Sequence, residues 1–165
     1  MTTFVTVGNA TQPFHRLLNE VMRLADQLPR PVIVQHGRTP FAKEGCLAIP
    51  FLDSTQFVDY MQRASVLIMH AGAGSIIHAL QAGKRPVVMP RRRDRGEVVD
   101  EHQVELAEVL SAAGKIILVS EPGELSKAVS RAQEFQAESR ILKSSPLMVG
   151  FVAQAIERIA YRNRR

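Results

Sequence analysis

The chain has 165 residues, 45% of them hydrophobic and 22% charged, the balance of one globular domain with a real core. No run approaches the roughly 20 apolar residues of a membrane helix, and the start has no basic n-region followed by an apolar h-region, so no signal peptide is expected. The single Cys46 excludes an internal disulfide and suits a reducing compartment, which makes the cytoplasm the default location. The net charge of +5 is local: Arg91, Arg92, Arg93 and Arg95 sit together, and Arg158, Arg162, Arg164 and Arg165 lie at the end. With no Trp and two Tyr there is little surface on which bases could stack, so nucleic acid is not an expected partner.

In chain order, short apolar runs alternate with segments of helical period. Residues 3–8 read as a strand, and 14–28 as a helix with Leu17, Leu18, Val21 and Leu24 on one face, ended by Pro29 and Pro31. Strands are expected at 32–35 and 46–50. A helix capped by Asp53 or Ser54 and running to Arg63 should precede a buried strand at 66–69. A helix over 74–82 stops at Gly83, and a strand follows at 87–89. After a loop at 90–99 come a helix at 101–113, a strand at 115–119 and helices at 122–136 and 146–162. The alternation predicts one α/β domain over residues 1–165, a Rossmann-like parallel sheet with helices on both faces. Ligands of such sheets bind at the carboxyl ends of strands, which directs attention to the loops after Val7, Met69 and Met89.

The loop after Met69 reads His70-Ala71-Gly72-Ala73-Gly74-Ser75. Its glycines let backbone N–H groups approach an anion at a helix start, and Ser75 adds a hydroxyl. The bland alternative is a tight strand–helix turn without a ligand. It is not a dinucleotide fingerprint, because Ile77 stands where a third glycine should fall, and no Gly-Lys-Ser/Thr closes it as a P-loop. The loop after Val7, Gly8-Asn9-Ala10-Thr11, repeats the design with short polar groups. After Met89 come the clustered arginines, then His102 and Gln103 at a helix start. Arg91 and its neighbours could neutralise a diphosphate or an acidic sugar, and His102 and Gln103 could hydrogen-bond sugar hydroxyls. Taken singly, each could also be a solvated surface residue.

Together these segments resemble the C-terminal, donor-binding domain of family 28 glycosyltransferases, the group containing MurG-like peptidoglycan-precursor enzymes. The resemblance rests on Val5-Thr6-Val7-Gly8, on Phe51-Leu52-Asp53 through Ala64, and on Ile68-Met69-His70-Ala71-Gly72-Ala73-Gly74-Ser75. It continues through Gly83-Lys84-Arg85-Pro86-Val87-Val88-Met89-Pro90-Arg91 and Glu101-His102-Gln103 with Glu105-Leu106-Ala107, all in register. The chain is more similar still to split, single-domain members: PssE-like subunits of exopolysaccharide and capsule synthesis, and the soluble subunit of the eukaryotic dolichol-linked N-acetylglucosaminyltransferase.

The resemblance implies one half of a GT-B fold, and an inverting transferase subunit moving sugar from a UDP-sugar to a polyprenyl-diphosphate-linked acceptor. Gly8, Asn9, His70, Ala71, Gly72, Ala73, Gly74 and Ser75 would cradle the diphosphate, with Arg91 beside them and Gln103 and His102 on the donor hexose. His78 stands where many relatives carry a ribose-binding glutamate. That departure keeps open a non-catalytic nucleotide-sugar sensor or assembly factor. No Asp-x-Asp motif occurs, so neither metal nor cofactor is expected; the nucleotide sugar is a substrate.

The base that deprotonates the acceptor is not assigned; His15 and His36 are candidates by residue type alone. The last helix carries an apolar stripe of Met148, Phe151, Val152, Ala155, Ile156 and Ile159. It could pack on the chain's own sheet or dock a membrane-associated acceptor-binding subunit, holding this chain at the inner face of the cytoplasmic membrane.

Overall fold

The computed structural model describes residues 1–99 and 102–139. The expected helix at 146–162, with its apolar stripe and basic end, lies outside the described residues. Six strands form one sheet: β1 (Thr3–Thr6), β2 (Val32–Gln35), β3 (Cys46–Ile49), β4 (Val66–Met69), β5 (Val87–Val88) and β6 (Ile117–Leu118). All neighbours are parallel, and the order is β3-β2-β1-β4-β5-β6. Five helices cover it: α1 (His15–Leu24), α2 (Ser54–Arg63), α3 (Ala73–Gln81), α4 (His102–Ala112) and α5 (Leu125–Ser139).

Period-two alternation splits the sheet's side chains between two cores. Val5, Val32, Val34, Val66 and Ile68 face α1 and α5, packing on Leu17, Leu18, Val21, Leu125 and Val129. Phe4, Ile33, Leu67 and Met69 face the other way, onto Met61 of α2, Ile76 and Leu80 of α3, and Leu106 and Leu110 of α4. Strands β1, β2 and β4 are buried along their whole length, as a sheet covered on both faces requires. β3 is the exception: it lies at the edge and leaves Leu47 half exposed.

Several boundaries differ from the sequence expectation for local reasons. α1 gives way to a 3₁₀ turn at Ala25–Gln27, because Leu28 precedes Pro29 and must be extended. The last helix described is likewise entered through a 3₁₀ turn at Pro122–Glu124, where the Glu124 carboxylate accepts the Ser120 N–H at 2.9 Å. β5 and β6 pair over only two residues each.

Asp53, not Ser54, caps α2. Its carboxylate accepts the Gln56 N–H at 2.8 Å, while the Gln56 carboxamide oxygen accepts the Asp53 N–H at 3.3 Å. This box sets the direction of a helix whose first turns become a wall of the cleft described below. Asp53→Ala should lower unfolding free energy by about 1 kcal/mol, read from chemical denaturation. A change within error would show that the reciprocal box does not hold α2.

Candidate functional site

From β1 the chain crosses to β2 on one side, and from β4 it moves to β5 on the other. The carboxyl ends of β1 and β4 therefore flank the point where strand order reverses, the place where open parallel sheets take ligands. A cleft of about 400 Å³ opens there. Its walls are the loops after β1 and β4, the end of β2, and the first turns of α2 and α3, including Asn9, Gln35, Phe57, Ser75 and His78. Among the described residues no carboxylate lines it, which suits an anionic ligand.

His70 organises the floor. Its ring is 8% exposed and passes between two glycines. A Cβ on Gly8, whose φ is +72°, would come within 2.6 Å of Cε1 and Nε2, and a Cβ on Gly72 would overlap Nε2. Both glycines thus answer to one imidazole. Burial, and then the positive charge of Arg91, push His70 down to about 4, against a smaller upward pull from the Thr6 backbone. The ring is therefore neutral at ordinary pH. Nδ1 is buried with no hydrogen-bond partner among the described residues.

Behind the floor, Thr6 and Gln35 hold the loop after β1. The Thr6 hydroxyl donates to the Gln35 carboxamide oxygen at 2.5 Å and accepts the Gly8 N–H at 3.2 Å. The Gln35 amide donates to the carbonyls of Gly8 and Pro50, both at 3.1 Å. At the other side, α3 begins directly from Gly72, and its first internal bond runs from Ile76 N–H to the Gly72 carbonyl at 3.0 Å. The N–H groups of Ala73, Gly74 and Ser75 thus precede the helix ladder and carry the positive end of its dipole. A Cβ on Gly74 would meet nothing within 4 Å, and Gly74 and Ser75 line the cleft.

Residues 2–159 match the family model described as the glycosyltransferase family 28 C-terminal domain. The chain belongs to this family. Its sequence is 31% identical over 154 residues to the UDP-N-acetylglucosamine transferase subunit ALG13 of Yarrowia lipolytica, covering 84% of this chain and 76% of that protein. The fold is similar to the calicheamicin glycosyltransferase CalG4 at a TM-score of 0.63 and 18% identity, over 99% of this chain and 43% of that one. It is also similar to MurG of Acinetobacter baumannii at a TM-score of 0.57 and 18% identity, over 94% of this chain and 49% of MurG. The α/β sheet is thus that of the GT-B glycosyltransferases, and the chain spans less than half the length of either solved relative.

Of the residues expected to touch the donor, the family 28 domain brings Gly8, Asn9, His70, Gly72, Gly74, Ser75 and His78 to the cleft. Ala73 contributes a backbone donor at the start of α3. His78 is exposed on the cleft wall, edge-on to Phe57 with ring centroids 6.0 Å apart. Four of these residues have groups engaged elsewhere. Arg91 is fully buried; its guanidinium donates to backbone carbonyls and does not face the cleft. Ala71 is buried and spends its N–H on the Gln103 carboxamide oxygen at 3.1 Å. That same oxygen accepts the Arg91 N–H at 3.2 Å, so Gln103 cross-links two loops instead of presenting its oxygen to a sugar. The Gly8 N–H is already taken by Thr6, leaving Gly8 to supply space and not a donor.

His102 is exposed at the start of α4 and is not part of the cleft wall. His15 is exposed on α1, away from that wall, and His36 bonds the Thr39 carbonyl through Nδ1 at 2.9 Å. Neither histidine is placed as a base in this cleft. The arginine loop is mostly paired with acids: Arg92 with Asp94 at 3.0 Å, and Arg95 with Glu121 at 2.9 Å.

Sequence reasoning missed Thr6, Gln35 and Phe57 in the cleft, because buried polar and aromatic residues inside strands and helices read as core. It also missed the Arg16–Glu97 pair, joined at 2.9 Å with both side chains under 10% exposed. Those residues are 81 apart in the chain, and no local pattern links them.

Because His70 titrates lower in the folded chain than in the unfolded one, the unfolded state binds more protons between the two pKa values. Stability should therefore fall as pH drops from about 6.5 to about 4, by up to roughly 3 kcal/mol. His70→Gln should flatten that limb of the denaturation profile. An unchanged acid limb in the variant would show that His70 is not the group responsible. Gly72→Ala should lower the melting temperature and displace the His70 ring, seen as a shifted imidazole resonance in a proton–nitrogen spectrum.

Proposed function

We propose that this glycosyltransferase domain holds a UDP-sugar in the cleft between β1 and β4, with the diphosphate over the first turn of α3. The observation that carries the reading is the start of α3, with Gly72, Gly74 and Ser75 on the wall of a cleft that has no carboxylate among its described lining residues, beside a neutral imidazole. A diphosphate there meets unpaired N–H donors and the positive helix end, and no acidic side chain repels it. The name of the Yarrowia relative makes UDP-N-acetylglucosamine the first donor to test. UDP-glucose and UDP-glucuronic acid follow. Pairing of the loop arginines with Asp94 and Glu121 weakens the case for an acidic sugar.

In the proposed reaction an acceptor hydroxyl attacks the anomeric carbon with inversion. The bond from that carbon to the β-phosphate oxygen breaks, UDP leaves with the pair, and a base takes the hydroxyl proton. Backbone amides of α3 stabilise the charge growing on UDP, a role a divalent cation has in other transferases. Activity should then survive a chelator. The acceptor is proposed to be a polyprenyl-diphosphate-linked sugar in polysaccharide synthesis of the PssE-like type. It would be held by a membrane-associated partner subunit that also supplies the base, with this chain on the cytoplasmic side. The word subunit in the relative's name supports a partner.

A second reading, a nucleotide-sugar sensor or assembly factor, draws on the same cleft. Its titratable side chains among the described residues are His70, deeply buried, and His78, which the family resemblance would have as a ribose-binding glutamate in many members.

Calorimetry with the three UDP-sugars tests binding directly. Gly74→Ala should weaken UDP affinity roughly tenfold while the melting temperature stays the same or rises, since alanine is the better helix residue and meets no neighbour. Unchanged affinity would place the diphosphate elsewhere. Transfer by the chain together with an acceptor-binding subunit distinguishes the two readings: firm donor binding without transfer in that complex would favour the sensor.

A further inference from the structure

Arg91 is among the largest fully buried side chains of the described structure, and the donor-site reading leaves it without a role in direct binding. One amino group, Nη2, donates to the Val7 carbonyl at 2.9 Å. The other, Nη1, donates to the carbonyls of Gln12 at 2.9 Å and Glu97 at 3.0 Å. The Phe14 ring lies beneath the cation, 4.6 Å from its centroid. Meanwhile the Arg91 backbone N–H and the Ala71 N–H converge on the single carboxamide oxygen of Gln103.

We propose that Arg91 is a positioning residue for the donor cleft. Its guanidinium ties the loop after β1 to the loop after β5, and its backbone, through Gln103, joins both to the glycine turn after β4.

The acceptors explain why a fork is needed. The carbonyls it reaches are on both sides of the Gly8 loop and on Glu97, so they must be spanned by two separate amino groups on a rigid plane. A lysine ammonium is a single point and cannot bridge them. All of these acceptors are backbone atoms, so the tie fixes main-chain positions and not side-chain identities. Gly8, which follows Val7, faces His70, while Ala71, held by Gln103, follows His70. The tie therefore grips the chain immediately beside both glycine contacts of the ring that floors the cleft.

Among the described residues no carboxylate bonds the Arg91 guanidinium: the Glu97 carboxylate is engaged by Arg16 at 2.9 Å and by the Arg92 N–H at 3.0 Å. The Arg91 Nε is buried without a hydrogen-bond partner among the described residues. Burial pushes Arg91 down to about 10, with partial relief from Glu97. The cation is held by backbone carbonyls and the Phe14 ring, and those contacts join three loops around one cleft.

The inference rests on the UDP reading, and the test separates the two. UDP and uridine, which lacks the diphosphate, are titrated into the wild-type chain, Arg91→Met, Arg91→Lys and a core control, Val129→Ala. Kd is taken on folded protein, with melting temperatures recorded in parallel. Arg91→Met should weaken UDP roughly tenfold while uridine changes by less than about twofold. Arg91→Lys should recover little of the loss, and Val129→Ala should lose stability without a selective loss of UDP. Equal weakening of UDP and uridine, unchanged UDP affinity in Arg91→Met, or full rescue by lysine would each overturn the proposal. Amide exchange of Gly8 and Ala71 gives a readout without ligand, and faster exchange in Arg91→Met is expected. If the wild-type chain binds no UDP, the donor reading has failed, and exchange alone decides whether the tie exists. Unchanged exchange there, or in a methionine variant too unstable for titration, overturns the tie as well.

Discussion

The imidazole of His70 fills the space that two absent side chains leave, and the cleft has its shape because of that fit. The ring enters from the end of β4, passes between Gly8 of the neighbouring strand end and Gly72 of its own turn, and is too buried to carry charge. A side chain at either glycine would push the ring into the cleft or force the two loops apart. Keeping the ring neutral also matters, since a buried imidazolium without a counter-ion would be costly beside Arg91. The loops after β1 and β4 are thus set against a common object, and α3 starts from a fixed point.

Around this centre the structure uses two kinds of polar tie. On the β2 side, Thr6 and Gln35 are side chains buried in the sheet, and they bond the Gly8 loop from below. On the β5 side the work falls to Gln103 and to Arg91, whose guanidinium bonds backbone carbonyls. The Arg16–Glu97 pair extends the same network to the end of β6, with Arg16 donating to the Ser120 carbonyl at 3.0 Å and the Pro90 carbonyl at 2.6 Å. Loops at strand ends are usually the least constrained parts of a parallel sheet. Here they are cross-linked, which is what a site relying on backbone N–H donors requires, since such donors cannot adjust by changing rotamer.

Much of this was legible without coordinates. The alternation of buried strands with amphipathic helices predicts the parallel sheet, and the glycines at Gly8, Gly72 and Gly74 mark loops where a ligand can approach backbone. The match of residues 2–159 to the family 28 C-terminal domain agrees with that reading. The errors fell on residues whose meaning depends on distant partners. Arg91 in a run of arginines looks like a surface charge aimed at an anion, yet it is the one member drawn fully inside. Gln103 looks like a sugar ligand because its carboxamide suits hydroxyls equally well, but backbone donors from two loops reach its oxygen first.

The sequence by itself determined the sheet, the order of its loops and the glycine positions, because period and backbone freedom are local properties written residue by residue. Only the tertiary structure decided which polar groups are left to meet a ligand. Hydrogen-bond capacity is finite: the Gly8 and Ala71 amides, the Gln103 oxygen and most Arg91 donors are taken by atoms far away in sequence, while the first amides of α3 stand open. That allocation follows from strand order and packing, and no local pattern records it.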